Sequence, residues 1–200
     1  MNERIWKPIT KKHLEILKEE ALNELNRFIN EVGKGKYSVY EDKLVAICLC
    51  QGVAQHFFEL WLMEKEPEDI VIEVTQEEIK AKSLKIKNKL VLSGIKDIDI
   101  WLFFEEHPKI KIPHRRNMRK SVVLELPDLG RRRIDFMKKM IPIAITKDAT
   151  TKEETIRKYL TLETNTAKFL RKKSIIGLYP PKLFGKPIWK VKRITPKHPL

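Results

Sequence analysis

Gly94-Ile95-Lys96-Asp97-Ile98-Asp99-Ile100-Trp101-Leu102-Phe103-Phe104 places two carboxylates two residues apart inside an otherwise apolar, strand-forming run. In a strand the side chains at i and i+2 leave the same face, so Asp97 and Asp99 point together while Ile98, Ile100 and Leu102 turn to the opposite side. At about 4 Å and an effective dielectric of about 20, two such anions repel by roughly 4 kcal/mol. A strand beside a core tolerates that only if a cation offsets it. A divalent ion with oxygen ligands, Mg²⁺ or Mn²⁺, is suited to the task.

A third acid repeats the pattern. In Arg132-Arg133-Ile134-Asp135-Phe136-Met137 a lone Asp stands between large apolar residues, which suits a strand with Ile134 and Phe136 in the core. Asp135 is therefore expected beside the Asp97 and Asp99 pair. Upstream, Lys43-Leu44-Val45-Ala46-Ile47-Cys48-Leu49-Cys50 is a continuous apolar run of the kind that forms a buried strand. It ends at Gln51-Gly52, and a helical pattern runs from Val53 to Met63. Glycine at a strand-to-helix turn lets backbone N–H groups approach an anion at the helix N-terminus.

With these residues in this order the chain resembles the nucleotidyltransferase superfamily, whose relatives include DNA polymerase beta, the tRNA CCA-adding enzymes and the antibiotic nucleotidyltransferases. That pattern is a strand ending in glycine, a helix, a strand carrying Asp-x-Asp and a later strand carrying a third Asp. The likeness covers roughly Leu44 to Met140. The whole chain is also similar to a group of uncharacterised prokaryotic proteins that couple a Gln-Gly turn to a Lys-Asp-x-Asp-x-Trp strand. Two features differ from the superfamily. It has Gly-Ser or Gly-Gly at the turn, where this chain reads Gln51-Gly52-Val53, and its turn lies closer to the Asp-x-Asp strand. An insertion is expected from Glu64 to Leu90, read as a strand at Ile70 to Val74 followed by a helix from Thr75, whose Thr75 and Glu78 have capping-box spacing.

The resemblance implies an α/β (α+β) fold with a mixed β-sheet core. It also implies transfer of a nucleoside monophosphate from a nucleoside triphosphate to a hydroxyl by a two-metal mechanism. Asp97, Asp99 and Asp135 would be the metal ligands and catalytic residues, and Gln51 and Gly52 would face the nucleotide. Arg119 and Lys120 are the candidate phosphate contacts. Two other readings remain open. One is a binding module of the same fold without catalysis, holding RNA or DNA on its basic surface, with Lys96 and Arg133 neutralising the acids as plain ion pairs. The other, a nuclease of the Asp then Asp/Glu-x-Lys type, fits less well, because Trp101 stands where the lysine would follow Asp99.

Composition narrows the partner. The net charge of +14 favours a polyanion such as nucleic acid or a triphosphate. Abundant Lys, Glu and Ile, with Gln only at positions 51, 55 and 76, also suit a heat-adapted surface, but that does not explain the sign of the charge. The basic excess falls in Lys109 to Lys120, in Arg131 to Arg133 and in Lys168 to Lys173. These clusters are expected to form one positive surface around the acids. No apolar stretch approaches the roughly 20 residues of a membrane span and the N-terminus has no apolar core of a signal peptide, so a cytoplasmic location with no membrane partner is expected. Cys48 and Cys50 share one strand face, where a disulfide is geometrically poor, and read as core residues.

Residues 1–145 are read as the α/β domain and 146–200 as a helical region with a basic tail. Within the first, Lys11 to Glu31 has helical periodicity ending at Gly33, and Glu105 to Lys120 reads as a mobile loop. Ser121 to Leu126 and Arg132 to Lys139 are expected to form a hairpin through Pro127-Asp128-Leu129-Gly130. In the second, Thr151-Lys152-Glu153-Glu154 caps one helix, another runs from about Thr164 to Ile176, and Trp189 and Val191 anchor the tail. His56 reads as a packed residue and Trp101 as the rim of the core. Gly33-Lys34-Gly35-Lys36 is no phosphate loop, since it lacks the terminal Ser or Thr and follows a helix.

Overall fold

The computed structural model describes residues 9–32, 34–65, 72–73, 83–86, 90–93, 97–111 and 121–191. Their architecture is α+β, built on a six-stranded mixed sheet. The apolar run after Lys43 is β1 (Leu44–Cys50), buried along its whole length, and it leads directly into α2 (Gln51–Lys65). The acid-bearing run is β5 (Ile98–Glu105), antiparallel to β1, with Cys50 opposite Asp99. The hairpin forms as expected, with β6 (Val122–Leu126) antiparallel to β7 (Gly130–Ile141). Gly130 takes a left-handed φ of 66° at the turn, a conformation glycine adopts without the steric cost a Cβ brings.

The third strand pairing decides the site. β7 runs parallel to β5, with Ile98 opposite Ile134 and Asp99 opposite Asp135. The expected neighbourhood of Leu44 to Cys50, Asp97 to Phe104 and Arg132 to Met137 in one mixed sheet is what the structure contains.

The sheet divides the core into two layers because its strands alternate. Ile98, Ile100, Leu102, Ile134 and Phe136 pack on one face with α1 (Lys11–Asn26), the π-helical turn Arg27–Val32 and α2. Cys48, Cys50, Trp101 and Phe103 face the other layer, made by α3 (Ile143–Asp148), α4 (Lys152–Leu160) and α5 (Asn165–Leu170). Thr151 caps α4 by accepting the Glu154 N–H, as its spacing foretold.

One expectation is corrected. The helix read as Thr164 to Ile176 stops at Leu170, and the chain then forms β8 (Ile175–Tyr179) and β9 (Pro187–Trp189). β8 pairs antiparallel with β1 and carries β9 on its outer edge, giving the order β6-β7-β5-β1-β8-β9. Gly177 makes this possible: a Cβ there would lie 2.3 Å from the Leu183 carbonyl oxygen, so only glycine lets the returning chain close on β8. Trp189 and Val191 do anchor the tail, the indole Nε1 donating to the Arg171 carbonyl and the Val191 N–H to Ser174 Oγ.

Between α2 and β5, β2 (Ile72–Glu73), β3 (Ser83–Ile86) and β4 (Leu90–Ser93) form a separate antiparallel sheet that contacts α2 through β4. The strand read at Ile70 to Val74 appears as β2, and the helix start at Thr75 lies outside the described residues. No described helix is long and apolar enough to cross a membrane.

Candidate functional site

The acids sit at one end of the sheet, where β1 ends and β5 begins. Parallel register sets Asp99 beside Asp135, and Asp97 stands just before β5. All three are partly buried. Asp99 is enclosed most unfavourably, with the fully buried Cys50 on its other side. Its carboxyl is raised from 3.8 to about 6, first by burial and then by the charges of Asp135 and Asp97, against the opposing pull of Lys173 and Arg133. The same crowding acts on Cys50, whose thiol is pushed well up by burial, then by Cys48 and Asp99. Both cysteines are free and buried in the core.

Arg133 is the near counter-ion. It projects from β7 on the same face as Asp135, two residues away, and its Nη2 donates to Asp135 Oδ2 at 2.8 Å while lying 3.8 Å from Asp97 Oδ2. The guanidinium thus straps two of the three acids together. Half of its side chain remains in solvent.

The strand-to-helix turn differs from its sequence reading in which residue carries the special backbone. Gln51 has φ 63°, the left-handed region that costs an L-residue about 1–2 kcal/mol. Gly52 does not; a Cβ there would meet only Lys173 Nζ, at 4.0 Å. The Gln51 side chain is 9% exposed and its Nε2 has no hydrogen-bond partner among the described residues. The first turn of α2 contains no acid, so its N–H groups and positive dipole end are not neutralised from within.

Lys173 is the residue that sequence reasoning did not single out. It follows α5, reaches the Gly52 turn and draws the Asp99 carboxyl downward. Its place is fixed by a buried network. Ser174 N–H donates to Gln55 Oε1 at 2.8 Å, and Gln55 Nε2 donates to Glu59 Oε1 at 2.9 Å and to the Val191 carbonyl at 2.7 Å. A glutamine one turn into α2, facing a predicted core, was the available signal.

Members of two basic clusters, Lys173 and Arg133, both act on Asp99, while their neighbours turn elsewhere. Arg131 and Arg133 are exposed, whereas Arg132 turns to the other face of β7 and is 8% exposed. Lys168 and Arg171 pair with Glu163, and Arg171 also holds the Leu160 and Leu162 carbonyls. Arg115, Arg116, Arg119, Lys120 and Lys96, among them the predicted phosphate contacts Arg119 and Lys120, lie outside the described residues. His56 is fully buried in α2, and Trp101 is 8% exposed and stacks on Phe103.

No family model, no curated protein and no solved structure matches the chain. The site therefore stands on its own chemistry. Among the described residues no group of three or more His, Cys, Asp or Glu side chains is gathered closely enough to hold a metal ion as it stands. The donor set itself is all carboxylate oxygen, the hard kind that suits Mg²⁺ or Mn²⁺, and the charges of Asp135 and Asp97 add to burial in raising the Asp99 carboxyl. Carboxylates are the ligand type a divalent cation takes, and in the structure Arg133 neutralises two of them.

Proposed function

We propose that this chain is a nucleotidyltransferase, passing a nucleoside monophosphate from a nucleoside triphosphate to a hydroxyl acceptor with Mg²⁺ or Mn²⁺. The single observation that carries the reading is the parallel pairing of β5 with β7, which sets Asp135 beside Asp99 on one face. Asp97 and Asp99 would hold the cations, with Asp135 completing the one nearest the acceptor. When bound, the cations lower the pKa of the attacking hydroxyl and stabilise the departing pyrophosphate.

The remaining work falls to the chain. Lys173 and the N-terminus of α2 present positive charge on one side of the acids, where a triphosphate would be held and oriented. The unpartnered amide of Gln51 supplies a donor at the same turn. Asp99 must lose its proton to act as a ligand, and its raised carboxyl makes that loss pH-dependent near pH 6.

Incubation with Mg²⁺ or Mn²⁺ and triphosphates labelled at the α-phosphate, with and without RNA or DNA, tests the reading. Label incorporated into an acceptor supports it. Retention of nucleic acid without incorporation supports instead a non-catalytic binding module, the reading favoured by Arg133 neutralising Asp135 and Asp97 without a metal. Strand cleavage would reassign the acids to a nuclease.

A further inference from the structure

The face that carries the acids is covered unevenly. α4 packs over β1 and β9, while at the other edge Val123 of β6 is 54% exposed and Arg131 and Arg133 of β7 are exposed. Register places Val123 opposite Arg133 and Glu125 opposite Arg131. Residues 131, 133 and 135 leave β7 on one side, so an uncovered strip of two arginines, Val123 and the exposed Glu125 runs from Asp135 toward the hairpin turn. Arg131 has no ion pair among the described residues. Arginines two apart on a strand are about 6.6–6.8 Å apart along it, close to the phosphate repeat of an extended nucleotide chain. Guanidinium forks match phosphate oxygens, and Val123 offers an apolar contact for a sugar or base.

We propose that this strip binds single-stranded nucleic acid and that Arg133 exchanges partners there. In the cation-free protein it holds Asp135 and Asp97; once a divalent cation takes over those carboxylates, it turns to a phosphate of the strand. This rests on the cation-binding reading of the acids given above. The consequence is a linkage: cation binding raises affinity for the strand, and by reciprocity the strand raises affinity for the cation. The sign is diagnostic, because divalent ions ordinarily weaken protein–nucleic acid contacts by competing for the phosphates. The acids make the linkage possible, since without a replacement charge they retain the guanidinium.

The test measures anisotropy of a short, unstructured fluorescent oligoribonucleotide, and of its DNA counterpart, at constant ionic strength in EDTA or in Mn²⁺. Mn²⁺ binding is followed in parallel by electron paramagnetic resonance. Wild type should bind the strand several-fold more tightly in Mn²⁺. Arg133→Ala should still bind Mn²⁺ but lose that gain, and Arg131→Ala should bind the strand more weakly in both buffers. Both side chains are exposed, so circular dichroism should be unchanged in each variant. A preference between the two oligonucleotides, with the gain retained, identifies the nucleic acid. Mn²⁺ bound by wild type with strand affinity unchanged or lowered, or a gain that persists in Arg133→Ala, overturns the inference while leaving the cation reading intact. Polyglutamate competing as well as the oligonucleotide would assign the strip to an acidic peptide and overturn it too. Absence of Mn²⁺ binding removes the cation reading and this inference with it.

Discussion

Replacing Asp99 by asparagine should stabilise the cation-free protein at neutral pH. The shape is nearly kept while the charge that burial, Asp135 and Asp97 all oppose is removed. Raising a carboxyl from 3.8 to about 6 corresponds to about 3 kcal/mol at most. Because the side chain is partly exposed, solvent screening reduces the working figure to about 1–2 kcal/mol. The folded carboxyl binds its proton more tightly than the unfolded one, so this group's contribution is fully favourable below about pH 4, is lost between about pH 4 and pH 6, and stays lost above. The gain from Asp99→Asn should therefore be absent at pH 3.5 and complete at pH 7.5. Thermal melts across that range read it as roughly 3–6 °C for a chain of this size. Saturating Mn²⁺ should reverse the order at pH 7.5, since it stabilises whichever protein binds it. An asparagine variant no more stable than wild type at pH 7.5, or stabilised equally at all pH values, would refute the account of Asp99.

Three other substitutions probe how the site is held. Gln51→Val should lose about 1–2 kcal/mol in urea denaturation, because a β-branched residue is strained at φ 63°, whereas Gly52→Ala should change stability by less than about 1 kcal/mol. Gln55→Leu should cost about 2–4 kcal/mol by stripping the buried Ser174 N–H of its acceptor, and triphosphate affinity measured by calorimetry should fall with it as Lys173 loses its anchor. Gly177→Ala should destabilise by about 3 kcal/mol or more, since the new methyl meets the Leu183 backbone; a urea midpoint near that of wild type would show that β8 can yield.

The central strands were legible because each carries a local signature. Leu44 to Cys50 is uninterrupted and apolar, the two Asp-bearing runs alternate, and Pro127 to Gly130 spells a turn, so face and neighbourhood followed from period alone. β8 was not legible. Ile175 to Tyr179 is a short apolar run behind a helical segment, and period cannot separate strand from helix over five residues; pairing with β1 decides it. Lys173 was hidden for a related reason. A basic run looks like solvated surface, and what turns this one lysine inward is a hydrogen bond from Ser174 to Gln55, far away in sequence. Arg131 to Arg133 read as one cluster, yet strand alternation sends Arg132 to the opposite face from its neighbours. The left-handed residue at the turn proved to be Gln51 because glycine is permitted, not required, at position 52.

The central claim is that carboxylates from two parallel strands form one cation site. Titration of Mn²⁺ by electron paramagnetic resonance, into wild type, Asp97→Asn with Asp99→Asn, and Asp135→Asn, tests it directly, with circular dichroism confirming the fold of each. The account predicts binding by wild type that is abolished in the double variant and weakened in Asp135→Asn, all three remaining folded. Binding that survives in the double variant, or no binding by wild type, would contradict it and leave the acids as ion-pair partners of Arg133.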